Sequence, residues 1–195
     1  MRPLPFTWPD AIAFWVAFYW AFAAELRFVR RDRSSRAAAT DRGSKHVIYV
    51  AGGAGTFLAF LFAAALPTLT MSSFRTVIYA AGIASVVGGG WLRRHCFRML
   101  GVSFTYDVRV QSSQVVVERG AYRYVRHPSY AAGLLLFGGI GLALTNWLSL
   151  VVAVVPLALA YAYRISVEEH ALVATLGPAY ADYMRRTRRV IPFLL

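Results

Sequence analysis

Between residues 120 and 130 the chain reads Gly-Ala-Tyr-Arg-Tyr-Val-Arg-His-Pro-Ser-Tyr, and further on Arg164 stands four residues ahead of Glu168 and its neighbour Glu169. Arg164 and Glu168 share a helix face at that spacing. Alone they make an ordinary salt bridge, but Glu169 alters the balance, because two carboxylates exceed what one guanidinium can neutralise. An excess of negative charge suits a cationic ligand, and the faces of Tyr122, Tyr124 and Tyr130 attract cations too. Tyrosine is also the ordinary residue of a membrane interface, so only the coincidence of these features points to a site. Pro128 suits the first turn of a helix, where no amide hydrogen is needed, and biases His127 toward an extended conformation. The amides of that helix start would favour a carboxylate or phosphate; an interfacial helix cap is the plainer alternative.

The elements that must position these groups are apolar. Of 195 residues, 58% are hydrophobic and 15% charged, and the apolar ones fall in blocks. About five blocks approach the length needed to cross ~30 Å of hydrocarbon: residues 10–28, 47–66, 77–92, 129–144 and 147–163. The expected fold class is an all-α integral membrane protein forming one domain over residues 1–195. Residues 1–92 supply three structural spans and residues 93–195 a catalytic half. All Lys and Arg except Arg2 and Arg75 fall on one side of that arrangement. Basic flanks favour the cytoplasm, which puts the N-terminus outside and the C-terminus inside. Topology and anionic headgroups account for the net charge of +12, so no nucleic-acid partner is expected. No cleavable leader is expected either. Cys96 is the only cysteine, which excludes an internal disulfide and a cysteine zinc cage. His95 beside it lacks further ligands at suitable spacing, so no metal is expected.

Glu25, near the end of the first span, is expected to pair with Arg27 or Arg30. Gly52, Gly53 and Gly55, the run Gly88-Gly89-Gly90, and Gly138, Gly139 and Gly141 read as helix-packing positions. None follows a strand, as a dinucleotide fingerprint would require. The connection 93–126 is long enough to suggest function. Within it, 105–111 and 114–117 read as short extended pieces around Ser112-Ser113, forming a small cytoplasmic cap. Thr145-Asn146 reads as a tight turn, making the last two spans an antiparallel hairpin. That turn brings 122–130 beside 164–169. The segment 166–186 reads as an amphipathic interfacial helix, broken at Gly177-Pro178, with Tyr180 and Tyr183 on one face.

Arg126-His-Pro-Ser-Tyr130, Gly120-Ala-Tyr122, Glu168-Glu169, Gly177-x-x-Tyr180-x-x-Tyr183 and Ile191-Pro192 together resemble the isoprenylcysteine carboxyl methyltransferase family. The likeness covers residues 108–192; the first three spans are similar only in character. The shorter RHPxY element is shared with phospholipid methyltransferases and membrane sterol reductases.

The resemblance implies a multi-span enzyme that takes a methyl group from S-adenosylmethionine. It places that cofactor on Gln111, Gln114, Val115, Val116, Val117, Tyr122, His127, Pro128, Ser129, Tyr130 and Glu168. Arg164 falls where the family has its substrate-contacting arginine, so Arg164 and Glu168 are the expected catalytic residues. Arg126 and Glu169 are expected in support. The implied acceptor is a lipophilic or prenylated carboxylate drawn from among membrane lipids. Being already ionised near neutral pH, a carboxylate needs no strong base. Methylation then rests on alignment and a dry site. The implied location is a membrane with the site facing the cytoplasm: the plasma membrane of a prokaryote, or the endoplasmic reticulum of a eukaryote. Ala132 stands where the family usually has glycine, with Gly133 next, so an extra methyl is expected near the cofactor. Other readings are an amine or phospholipid N-methyltransferase, an NADPH-dependent sterol or enone reductase, and a non-catalytic lipid-binding subunit. The reductases usually carry Glu soon after the Tyr, where this chain has Ala131-Ala132-Gly133.

Overall fold

The computed structural model describes residues 3–32, 41–101 and 116–190, and the side chains of all of these but 24–32. Among them every regular element is helical. Six α-helices follow one another: α1 (Asp10–Asp32), α2 (Ser44–Ala65), α3 (Arg75–Leu100), α4 (Pro128–Ala143), α5 (Trp147–Leu176) and α6 (Pro178–Arg186). Short 3-10 turns occupy Leu4–Phe6, Pro67–Leu69 and Gly120–Arg123. Each of the five expected apolar blocks therefore lies in a helix. By length and composition, α2 and α5 can cross a membrane, whereas the apolar stretch Asp10–Ala23 of α1 and all of α4 are shorter.

Two boundaries differ from the sequence reading, for one reason. Helix α3 continues through Arg93, Arg94 and Arg98 to Leu100, and α5 continues through Arg164, Glu168 and Glu169 to Leu176. Charge marks where a helix leaves apolar surroundings, whereas Arg, Glu, Ala and Leu remain good helix formers in either medium. At about 1.5 Å per residue, the thirty residues of α5 reach ~45 Å, well beyond a hydrocarbon core. The break at Gly177 is where it was expected. Its φ of +57° is open to glycine without a Cβ penalty, its amide caps the carbonyl of Val173, and Pro178 starts α6. Tyr180 and Tyr183 are both buried on one face of α6. Residues 105–111, the turn 112–113, and Gln114 and Val115 lie outside the described residues, as do the side chains of Glu25, Arg27 and Arg30. Val116 and Val117 form no strand.

Helix α3 lies along α4, α4 along α5, α5 along α2, and α1 along α3. The α3–α4 seam depends on missing side chains. A Cβ on Gly82 would stand 2.4 Å from the Ala143 amide nitrogen, and one on Gly89 2.6 Å from that of Leu136. Of the glycines read as packing positions, Gly53 meets nothing within 4 Å, whereas Gly55 rests on the Val152 carbonyl. Phe14, Trp15, Phe18 and Phe60 interlock between α1 and α2. At the turn joining α4 to α5, Thr145 takes a φ of +50°. Asn146 caps α5 by accepting from the Ser149 amide at 3.1 Å, the ordinary use of asparagine at a helix start. Ser149 Oγ donates to the Ala59 carbonyl at 2.6 Å, and Asn146 Nδ2 to that of Leu66 at 3.0 Å, binding the turn to α2.

Candidate active site

At the opposite end of the α4–α5 hairpin the ionisable residues converge. Pro128 begins α4, His127 stays outside the helix, and Arg93 on the α3 extension donates to the Ser129 carbonyl at 3.0 Å. The His127 and Tyr130 rings stack at 5.7 Å between centroids, and Tyr161 lies 4.6 Å beyond Tyr130. Tyr130 Oη donates to Glu168 Oε1 at 2.6 Å, and Arg164 Nε donates to the same oxygen at 2.9 Å. His127 Nδ1 stands 3.5 Å from Glu168 Oε2, and its Nε2 3.4 Å from Glu169 Oε1. One imidazole thus bridges two neighbouring carboxylates. Burial disfavours its charged form, but the hydrogen bonds and negative charges of Glu168 and Glu169 outweigh that and raise its pKa.

Glu169 is enclosed on every side. Arg126 Nε donates to its Oε1 at 2.8 Å, and Arg189 Nη2 meets its Oε2 at 2.9 Å. Arg126 also donates to the carbonyls of Met184, at 3.0 Å, and Thr187. The chain after α6 runs beside 124–127, with the amides of Arg126 and His127 donating to the carbonyls of Arg188 and Arg189 at 2.7 and 2.9 Å. Tyr183 Oη donates to the Tyr122 carbonyl at 2.7 Å. Burial pushes the Tyr183 phenol up to about 12, and the buried Tyr122 phenol well above its ordinary value. Glu168 differs from its neighbour: 21% of its side chain is exposed, against 5% for Glu169.

This corrects the charge argument drawn from sequence. Glu169 is not surplus, because Arg126 and Arg189 neutralise it; Arg189 comes from the segment beyond α6 and could not be assigned from helical spacing. The local excess sits on the other side of Glu168. Arg164 Nη1 donates to Asp41 Oδ1 and, at 2.9 Å, to Ser44 Oγ at the start of α2. One buried guanidinium is therefore held between two carboxylates from different elements. The sequence reading missed Asp41. The signal was present: an acid in a basic connection, four residues before Lys45, whose amide it receives at 3.2 Å.

A family profile described as phospholipid methyltransferase matches residues 77–179, more than half of the chain. The chain belongs to that family. The similar proteins fall on the isoprenylcysteine side of it, as the motifs suggested. Protein-S-isoprenylcysteine O-methyltransferase B of Arabidopsis thaliana is 30% identical over 115 residues, covering 58% of each chain. The Saccharomyces cerevisiae protein-S-isoprenylcysteine O-methyltransferase is 33% identical over 115 residues, covering 58% of this chain and 48% of its own. The chain thus spans about half of these curated relatives' length. A solved structure of a eukaryotic intramembrane Ras methyltransferase, isoprenylcysteine carboxyl methyltransferase, superposes with a TM-score of 0.62 at 24% identity. It covers 74% of this chain and 52% of that one, and shows that the fold is shared.

Against the family motif, the structure brings together Tyr122, Arg126, His127, Pro128, Ser129, Tyr130, Arg164, Glu168 and Glu169. Val116 and Val117 are half-buried just ahead of Glu118; Gln111, Gln114 and Val115 lie outside the described residues. Ala132 is fully buried, and its carbonyl faces Gly89 across the α3–α4 seam. At Gly133 a Cβ would stand 2.3 Å from Tyr161 Oη, so any side chain there would displace the Tyr161 ring. The glycine hydrogen thus admits the ring that backs Tyr130. Among the described residues no group of His, Cys, Asp and Glu could hold a metal ion.

Proposed function

We propose that this chain is a membrane-embedded methyltransferase using S-adenosylmethionine to methylate a lipophilic carboxylate of the isoprenylcysteine type. The observation carrying the proposal is the exposed corner of Glu168. It opens beside the first turn of α4 and the Tyr130 ring, within a network whose other acids, Glu169 and Asp41, are enclosed. The residues fit the cofactor: a carboxylate and an aromatic face for its cationic end, and helix amides for its carboxylate. When bound, the cofactor supplies a methyl group activated on a sulfonium. Glu168 provides counter-charge, with Tyr122, His127, Pro128, Ser129 and Tyr130 forming the wall around it. Gln111, Gln114, Val115, Val116 and Val117 complete that wall in this reading. Arg164 orients the acceptor carboxylate, and Arg126 and Glu169 brace His127. Similarity to relatives that bear the isoprenylcysteine O-methyltransferase name supports the acceptor class.

In this reading the chain is one membrane domain of five spans, α1 to α5, with the N-terminus outside and the site facing the cytoplasm. The asymmetry of Lys and Arg supports that orientation. The connection before Gly120 and helix α6 form the cytoplasmic cap, and residues 93–195 are the catalytic half. A prokaryotic plasma membrane is the proposed setting. The test is transfer of labelled methyl from S-adenosylmethionine to an extracted lipid pool, read by mass spectrometry and alkali treatment. Alkali-labile label marks an ester. Alkali-stable label marks an amine acceptor, the second reading, which the negative charge of Asp41 beside Arg164 favours.

A further inference from the structure

Arg164 is 3% exposed and is engaged at both ends. Its Nε side meets Glu168 and Tyr130, at 2.9 and 3.3 Å; its Nη1 side meets Asp41 and Ser44. An acceptor carboxylate that is to be oriented by this guanidinium thus meets an arginine already flanked by two anions. Glu168 cannot be the one to yield, because Tyr130 Oη and Arg164 share its Oε1 and His127 faces its Oε2. Asp41 comes from a different element, at the start of α2. It is held by Ser44 Oγ at 3.2 Å and by the Lys45 amide, both of which belong to the same turn as itself. Those local bonds can accompany Asp41 if it turns away from Arg164. Such a turn would break its ion pair with Arg164, which ties the start of α2 to α5.

We propose that Asp41 is a specificity-determining residue of the acceptor site: an internal carboxylate that occupies Arg164 and that an acceptor's carboxylate must displace. This rests on the acceptor reading above. The exchange substitutes one carboxylate for another on the same guanidinium, so Arg164 stays paired throughout. The cost falls on Asp41, which is buried and keeps only its local bonds to Ser44 and the Lys45 amide. Asp41 thereby sets a threshold. A monoanion with enough apolar tail to supply binding energy displaces it, whereas a small acid does not. A cationic acceptor would instead find Asp41 attractive where it stands.

Binding and turnover are measured separately on full-length protein in detergent, with N-acetyl-S-farnesylcysteine as the carboxylate probe. Calorimetry of the probe with wild type and Asp41→Asn is expected to show about tenfold tighter binding to the variant, because a like charge is removed from the anion's path. S-adenosylmethionine affinity should change less than about twofold, since Asp41 lies on the far side of Arg164 from Glu168. Ser44→Ala removes, without changing charge, both the hydrogen bond that steadies Asp41 and the hydroxyl that Arg164 donates to, and should tighten probe binding by about twofold. It carries the test if Asp41→Asn does not fold. Equal or weaker probe binding in a variant that still binds S-adenosylmethionine overturns the proposal and makes Asp41 a structural partner of Arg164. Turnover answers the other question. Wild type that binds the probe but never methylates it overturns the carboxylate reading, while the affinity ratio still judges Asp41.

Discussion

The two ends of the α4–α5 hairpin each bury a polar cluster, and they are built on opposite principles. At the turn, Thr145, Asn146 and Ser149 are 0–1% exposed and bond to main-chain carbonyls and amides of α2, α5 and the preceding loop. These groups are neutral and short; Asn146 and Ser149 are matched to fixed backbone partners, and the Thr145 hydroxyl accepts from Arg75 Nε at 3.4 Å. At the other end, Arg126, His127, Tyr130, Arg164, Glu168 and Glu169 bond mainly to one another through long charged side chains, and one carboxylate keeps an exposed corner. Burying charge is costly unless it is fully paired, so a fold that needed only to fasten two helices would use the first solution twice. The second arrangement keeps one carboxylate partly exposed, as the proposed cofactor site requires.

Substitutions should separate the two ends. Glu169→Gln leaves Arg126 buried against a neutral partner and should cost about 3 kcal/mol of stability, read as a lower melting temperature in detergent. Glu168→Ala should weaken S-adenosylmethionine binding by about 10–100-fold while costing less stability, since its site is partly open; equal affinity in calorimetry would sink its role. Asn146→Ala should cost about 1 kcal/mol through loss of its helix cap and leave cofactor affinity unchanged. A change in affinity there would erase the contrast between the ends. His127 contributes to the pH profile. Its pKa is raised in the folded protein, so its stabilisation is complete below the ordinary histidine value of about 6.5. That contribution disappears as pH climbs through the raised value, and His127→Gln should flatten this part of a melting-temperature profile. Arg185→Ala, at an exposed pair with Asp182 on α6, should change nothing measurable.

What could be read from the chain alone was whatever is local. The apolar blocks, the turn at Thr145-Asn146 and the break at Gly177-Pro178 are written in adjacent residues. The hairpin then carries Arg126–Tyr130 to Arg164–Glu169 by simple geometry. The helix end at Leu100 and the unbroken run of α5 from Tyr163 to Leu176 were not legible from hydropathy, which registers surroundings rather than backbone conformation. Nor were the pairings that cross the bundle. Asp41 meets Arg164 across 123 residues, and Arg189 reaches Glu169 from beyond α6, with no periodicity linking either pair.

The parallel contact between 124–127 and 188–189 has a consequence for assembly. Glu169 is sheltered by a residue made after all of α6, so the wall of the site cannot close while the ribosome is still building that helix. Until then α5 carries an acid that lacks one of its two guanidinium partners. The site is then completed by the docking of the segment that follows α6.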